Sequence, residues 1–174
     1  MNFLQTKINE MKKRKEEGNK GFSLVELIIV IAIMAILVGI VGTQVIPYIN
    51  KSKESKDLQI INSFSTAAVS SYSENADKIS ATTGTITIKV YGSNTDSDAT
   101  KLAEAIKEKT YENSGDVFGQ AAAGSTAAKP SKMKSKKGKT ITDVEIKINL
   151  DKKTVTTQAM AGSTAIFEAV EADL

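Results

Sequence analysis

The sequence predicts an α+β protein in which one long N-terminal helix packs against a small antiparallel β-sheet. Three observations predict it. Residues 27–42 form an apolar run with no charged or hydrogen-bonding side chain. The apolar residues that follow recur at helical spacing from Leu58 to Ile79. The C-terminal third then holds segments of strict apolar alternation. Four regions follow from this division: a basic N-terminal segment at 1–21, an apolar helix at 22–46, its amphipathic continuation at 47–79 and an α+β head at 80–174.

Composition removes many functions before any motif is read. Among 174 residues there is no Cys and no His, while hydrophobic residues make up 41% and charged residues 25%. A disulfide framework, a Cys-ligated zinc, a thiol nucleophile and His-based acid/base chemistry are therefore excluded. No cofactor motif is present, and the absence of a G-x-x-x-x-G-K-[ST] loop leaves no nucleotide site to expect. The chain is not expected to be an enzyme.

The first region carries all the net charge. Lys7, Lys12, Lys13, Arg14, Lys15 and Lys20 stand against Glu10, Glu16 and Glu17, which equals the +3 of the whole chain. A basic stretch before an apolar run is what the positive-inside rule expects of a segment held in the cytoplasm.

The second region, Phe22–Ile46, has 25 residues. As a helix it would extend roughly 37 Å at ~1.5 Å per residue, enough for a hydrocarbon core of ~30 Å. Glu26 is its only ionisable residue. A carboxylate inside such a span is costly and marks function by default.

The local pattern Lys20-Gly21-Phe22-Ser23-Leu24-Val25-Glu26-Leu27, followed by the apolar run, resembles the N-terminus of type IV pilins and of the related pseudopilins. The chain resembles clostridial and other Gram-positive major pilins, and its high Lys and absent Cys suit a low-GC Gram-positive source. The resemblance implies the pilin fold, with cleavage by a prepilin peptidase between Gly21 and Phe22. It implies N-methylation of Phe22 and a filament, a helical homopolymer of the chain itself, whose axial register is set by Glu26 pairing with the Phe22 amine of a neighbouring subunit. It also implies an assembly platform protein, an assembly ATPase, and membrane lipid as the subunit's surroundings before assembly. The single-pass prepilin would sit in the cytoplasmic membrane with its N-terminus inside, and the assembled pilus would be extracellular.

The motif chemistry agrees with this. Gly21 lets the backbone enter a narrow protease site in extended form. Cleavage makes a cation at Phe22 one helical turn from Glu26, and an unpaired charge in an apolar setting is expensive. The sequence also departs from the family. The leader of 21 residues is long for a Phe-first pilin, and no Cys can close a C-terminal loop. The helix breakers are Gly39, Gly42 and Pro47, so any melted stretch is expected around Gly39–Pro47.

Beyond the apolar run, Leu58, Ile61, Phe64, Ala68, Tyr72, Ala76 and Ile79 recur at steps of three and four, one helical face. A single helix from Phe22 to Ile79 is expected, and a fragment beginning near Leu58 is expected to fold alone. Thr85–Tyr91 alternates as a strand. Ala99–Glu112 reads as a helix with Ser97 or Asp98 as N-cap. Thr140–Leu150 and Thr154–Met160 read as a hairpin turning at Asp151–Lys153, and Ser163–Leu174 as a final short helix or a last strand, its apolar spacing favouring the helix.

Asn113–Lys139 is irregular and places Lys129, Lys132, Lys134, Lys136, Lys137 and Lys139 close together. The simplest expectation is a solvated loop; a patch for DNA, anionic glycans or an acidic subunit face is the functional alternative. No aromatic residue lies among the lysines, so nucleic acid is expected at most as a non-specific partner. Asn94–Asp98 has alternating oxygen donors, but Ala99 and Ala105 stand where a calcium loop needs Gly and Glu, so a turn and helix cap is expected.

The functional expectation is a structural pilus subunit serving adhesion, motility or biofilm formation. A pseudopilin of a type II secretion or DNA-uptake machine would carry the same motif. A membrane-anchored extracellular enzyme or binding domain is the alternative of another class.

Overall fold

The computed structural model describes residues 3–17, 22–119 and 130–174. The chain divides into two units, Met1–Pro47 and Tyr48–Leu174. In the first, α1 spans Phe3–Glu17 and α2 spans Leu24–Ile40. Apart from Glu26, the residues of α2 are apolar on every side, which suits a membrane span or a fully enclosed helix. None of them is buried within the chain itself.

A π-helical turn, Val41–Val45, follows α2. It lies just before Pro47, whose ring in a regular helix would press on the Thr43 carbonyl and whose nitrogen has no proton to give it. Thr43 Oγ1 donates to the Gly39 and Ile40 carbonyls at 3.1 and 3.3 Å. The irregularity expected around Gly39–Pro47 is thus a widened turn, with no break in the helix. The helical stretch runs from Leu24 to Lys78, with a mean hydropathy of 3.2 in its most apolar window, long and apolar enough to cross a membrane.

The next helix, α3 (Ile46–Asn75), belongs to the second unit from Tyr48 on and buries Asp57, Ile61, Phe64, Ser65, Ala67, Ala68 and Ser71. The buried line is centred on 57, 61, 64, 68 and 71, and differs from the expected stripe at its ends. Leu58, Tyr72 and Ile79 are half-buried and Ala76 is exposed. Phe64 packs against the rings of Tyr91 and Tyr111 with centroids 6.2 and 6.0 Å away. Tyr91 in turn meets Phe118 at 5.8 Å.

The sheet has five strands: β1 (Thr85–Lys89), β2 (Asp143–Asn149), β3 (Thr154–Ala161), β4 (Thr164–Ala165) and β5 (Val170–Asp173). All pairings are antiparallel, in the order β1-β2-β3-β4, with β5 also on β3. The expected alternation is visible in burial: Ile86 and Ile88, then Val144, Ile146 and Ile148, then Val155 and Ala159 all point into the core.

Of the two readings of Ser163–Leu174 the favoured helix is not formed; the segment takes the strand alternative, as β4 and β5. Gly162, at φ +61°, lets the chain reverse in two residues between the paired Ala161 and Thr164. Val170 then pairs with Thr157 and Asp173 with Thr154. The unpaired outer edge of β3 recruits this segment, and that pairing outweighs its local helical spacing.

Two shorter helices complete the head. The first, α4, spans Ser97–Lys109 and ends before the expected Glu112. Its N-cap is Asp96, which accepts from the Asp98 N–H, in place of the expected Ser97 or Asp98. The Asp98 carboxylate instead accepts from the Ser80 and Ala81 amides at 2.7 and 3.0 Å, pinning the chain that leaves the long helix. A short α5 (Ser114–Phe118), not expected from the sequence, buries Val117 and Phe118 and stops at Gly119 in the left-handed conformation.

The lysine-rich segment after residue 130 is not a freely solvated loop. Met133 is fully buried, and Lys132 N–H donates to the Val117 carbonyl. Asp57 of α3, itself fully buried, accepts from the Lys134 amide at 2.6 Å, the Ser135 amide at 2.8 Å and Ser135 Oγ at 2.5 Å. Gly138 closes against this carboxylate so tightly that an added Cβ would overlap Asp57 Oδ2. In a chain without Cys, this buried carboxylate is a cross-link between helix and loop. Lys129 lies outside the described residues.

Candidate processing and assembly site

Ser23 initiates α2. At φ −63° and ψ 141° it is extended, and its Oγ accepts from the Val25 amide at 3.4 Å. Glu26, three residues on, reaches back so that the Ser23 amide donates to its Oε2 at 2.8 Å. Ser23-Leu24-Val25-Glu26 is therefore a capping box, which occupies two of the amide groups that a helix start leaves without partners. The carboxylate also sits at the positive end of the helix dipole, where a negative charge is favoured.

This arrangement solves a local problem. Glu26 is the one ionisable residue in an otherwise apolar helix, and its charge is met by backbone at the helix mouth. The S-x-x-E signature is present in the sequence, but Ser23 has neither charge nor apolar bulk. It is thus a residue of the site that charge and hydropathy alone pass over.

Phe22 precedes the cap and is 85% exposed. The structure places the Glu26 carboxylate on the backbone nitrogen immediately after Phe22. Gly21, the expected residue before the cut, lies outside the described residues. From Leu24 to Ile49 large apolar side chains are open on all sides, among them Ile36 at 65% and Val38 at 70%. An apolar surface of this extent marks contact with lipid or with other chains.

In the head, the oxygen donors of Asn94–Asp98 are each engaged with backbone. The Asn94 amide side chain both donates to and accepts from Lys89, Asp96 caps α4, and Asp98 holds residues 80 and 81. Among the described residues no group of three His, Cys, Asp or Glu side chains could hold a metal ion.

Residues 18–42 match the family model described as the prokaryotic N-terminal methylation motif. The match covers Gly21, Phe22 and Glu26 together with the whole apolar run at 27–42. No curated protein and no solved structure matches the chain.

Proposed function

We propose that the chain is a prepilin, the structural subunit of a type IV pilus. The observation that carries this reading is the N-terminal methylation motif at residues 18–42, set on a helix whose apolar surface is left uncovered by the rest of the chain. A prepilin peptidase cuts between Gly21 and Phe22 and methylates the new amine. The basic segment before the cut stays in the cytoplasm. The apolar helix is held in the membrane until subunits are drawn into a filament by a platform protein and an ATPase, and the pilus is extracellular. The subunit itself has no catalytic role.

In the filament, Glu26 exchanges its intrachain partner, the Ser23 amide, for the Phe22 amine of an adjacent subunit. A buried pair of this kind adds little net stability, but stranding one partner costs about 3–5 kcal/mol. Its effect is therefore to fix axial register among helices that otherwise slide freely. A head of about 95 residues and a Phe-first mature chain fit a major pilin at least as well as a pseudopilin.

The test is co-expression with a prepilin peptidase, comparing the natural chain with Gly21→Leu. The natural chain loses residues 1–21 and yields surface fibres that disappear on deletion of its gene. Gly21→Leu remains uncut. Wild-type amounts of processed Gly21→Leu, or secretion of a cargo protein without fibres, would contradict the reading.

A further inference from the structure

The loop anchored by Asp57 brings two lysine groups together. Residues 50–58 of α3 contain Lys51, Lys53 and Lys56, and residues 131–140 contain Lys132, Lys134, Lys136, Lys137 and Lys139. Within these two segments the only carboxylates are Glu54 and Asp57. Asp57 is buried and occupied by three donors from the loop. Glu54 is paired with Lys137 at 3.5 Å. Lys132 lies over the Tyr111 ring at 4.4 Å. Lys51, Lys53, Lys56, Lys134, Lys136 and Lys139 are exposed and have no ion-pair partner among the described residues.

The position of this cluster along the chain gives it a partner. The row of exposed large apolar side chains on the long helix ends at Tyr48 and Ile49, which are 79% and 47% exposed. Tyrosine is favoured at the boundary between hydrocarbon and water. From Ile49 to Asp57, along α3, is roughly 12 Å at ~1.5 Å per residue. The headgroup layer of a bilayer occupies about 5–8 Å beyond the hydrocarbon on each side, and charges act over a Debye length of about 8–10 Å. Charges at about this height lie within a Debye length of the lipid phosphates.

We propose that these six unpaired lysines form a collar that binds the anionic phosphodiester headgroups of the membrane surface while the subunit is unassembled. This rests on the membrane-borne reading above. The collar exists only because Asp57 draws the loop onto α3; without it, three of the six cations would not share that height. An acidic face of a second copy has the same charge preference, but chain connectivity places lipid beside the lysines before any other subunit arrives.

The experiment uses the full chain reconstituted in vesicles of phosphatidylcholine alone, or with about a third phosphatidylglycerol. A water-soluble acetylating reagent that does not cross bilayers labels the outward-facing lysines, and mass spectrometry reads each one. Lys51, Lys53, Lys56, Lys134, Lys136 and Lys139 should react several-fold more slowly in the anionic vesicles. High salt should abolish the difference, and Lys89 and Lys152 of the same head should show none. Equal reactivity in both vesicles overturns the proposal. So does protection that rises with protein density in neutral vesicles, the signature of a second copy, and so does uniform protection of all lysines. A chain that fails to float with either vesicle contradicts the membrane-borne reading itself.

Discussion

Ser135 Oγ donates to Asp57 Oδ2 at 2.5 Å across a separation of 78 residues in the chain. With the two amide donors on the same carboxylate, this contact fastens the lysine-rich loop to the long helix. It replaces, by hydrogen bonding, what a covalent bridge would do in a chain that had cysteines.

Asp57→Ala should therefore destabilise the head. Two amides and a hydroxyl lose their acceptor in a buried setting, at a cost of about 3 kcal/mol in all. Thermal unfolding followed by circular dichroism should show a midpoint lower by about 10 °C, given the scaling of stability with temperature for a domain of this size. A midpoint unchanged within a degree or two would mean that the loop is held by Met133 and its neighbours alone.

The same contact decides where the head begins. A fragment starting near Leu58 keeps most of the apolar line but discards Asp57. A fragment starting at Tyr48 keeps the anchor and leaves out nearly all of the apolar helix. The Tyr48–Leu174 fragment should unfold cooperatively, and the Leu58–Leu174 fragment at a distinctly lower midpoint. Identical midpoints would contradict the anchor's role.

Asp98 gives the head an acid-sensitive link. The Ala81 amide, opposed by burial and supported by the Ser80 amide and Lys101, holds its carboxyl below the ordinary value of 3.8. A depressed folded-state value contributes stability that is present above pH about 3.9 and is lost as pH falls through the folded value. Burial holds Asp143 above its ordinary value and so works in the opposite sense. The informative comparison is therefore wild type against Asp98→Asn. The variant should be less stable at neutral pH, and the difference should shrink below pH about 3.9. A difference that stays constant down to pH about 2, well below that value, would remove Asp98 from the acid response.

Much of this fold is legible in the sequence. The apolar run, the amphipathic helix and the alternation of Val144, Ile146 and Ile148 each carry a periodicity that local geometry enforces. The C-terminal strands are legible only as one of two alternatives, because Ile166, Phe167, Val170 and Leu174 fit a helix as well as a strand. Only the open edge of β3 decides between the two. Asp57 reads in sequence as one charge in a polar stretch, since nothing near it shows that Lys134 and Ser135 will supply its donors. In the N-terminal site, spacing and charge point to Phe22 and Glu26. Ser23 shows only through helix capping, a weaker signal beside a long hydrophobic segment.

Ser23 and Glu26 should separate under mutation. Ser23→Ala removes one half of the capping box, a loss of about 1 kcal/mol at an exposed helix start, and should leave filaments largely intact. Glu26→Ala should be cut normally and accumulate in the membrane, because losing a charge eases insertion. In the filament it strands the Phe22 amine, at about 3–5 kcal/mol, or roughly 10²–10⁴ in a subunit-addition equilibrium. Glu26→Asp should fall between. Cleaved monomer and sheared fibres measured side by side provide the check, and normal fibre yield from Glu26→Ala would refute the register role.

The central claim, that the chain is a processed prepilin, is tested most directly by the mass of the mature N-terminal peptide. After expression with an active prepilin peptidase, the chain should begin at Phe22 and carry one additional methyl group on its terminal nitrogen. A chain that keeps residues 1–21 beside an active peptidase, or that begins at any residue other than Phe22, would contradict the account.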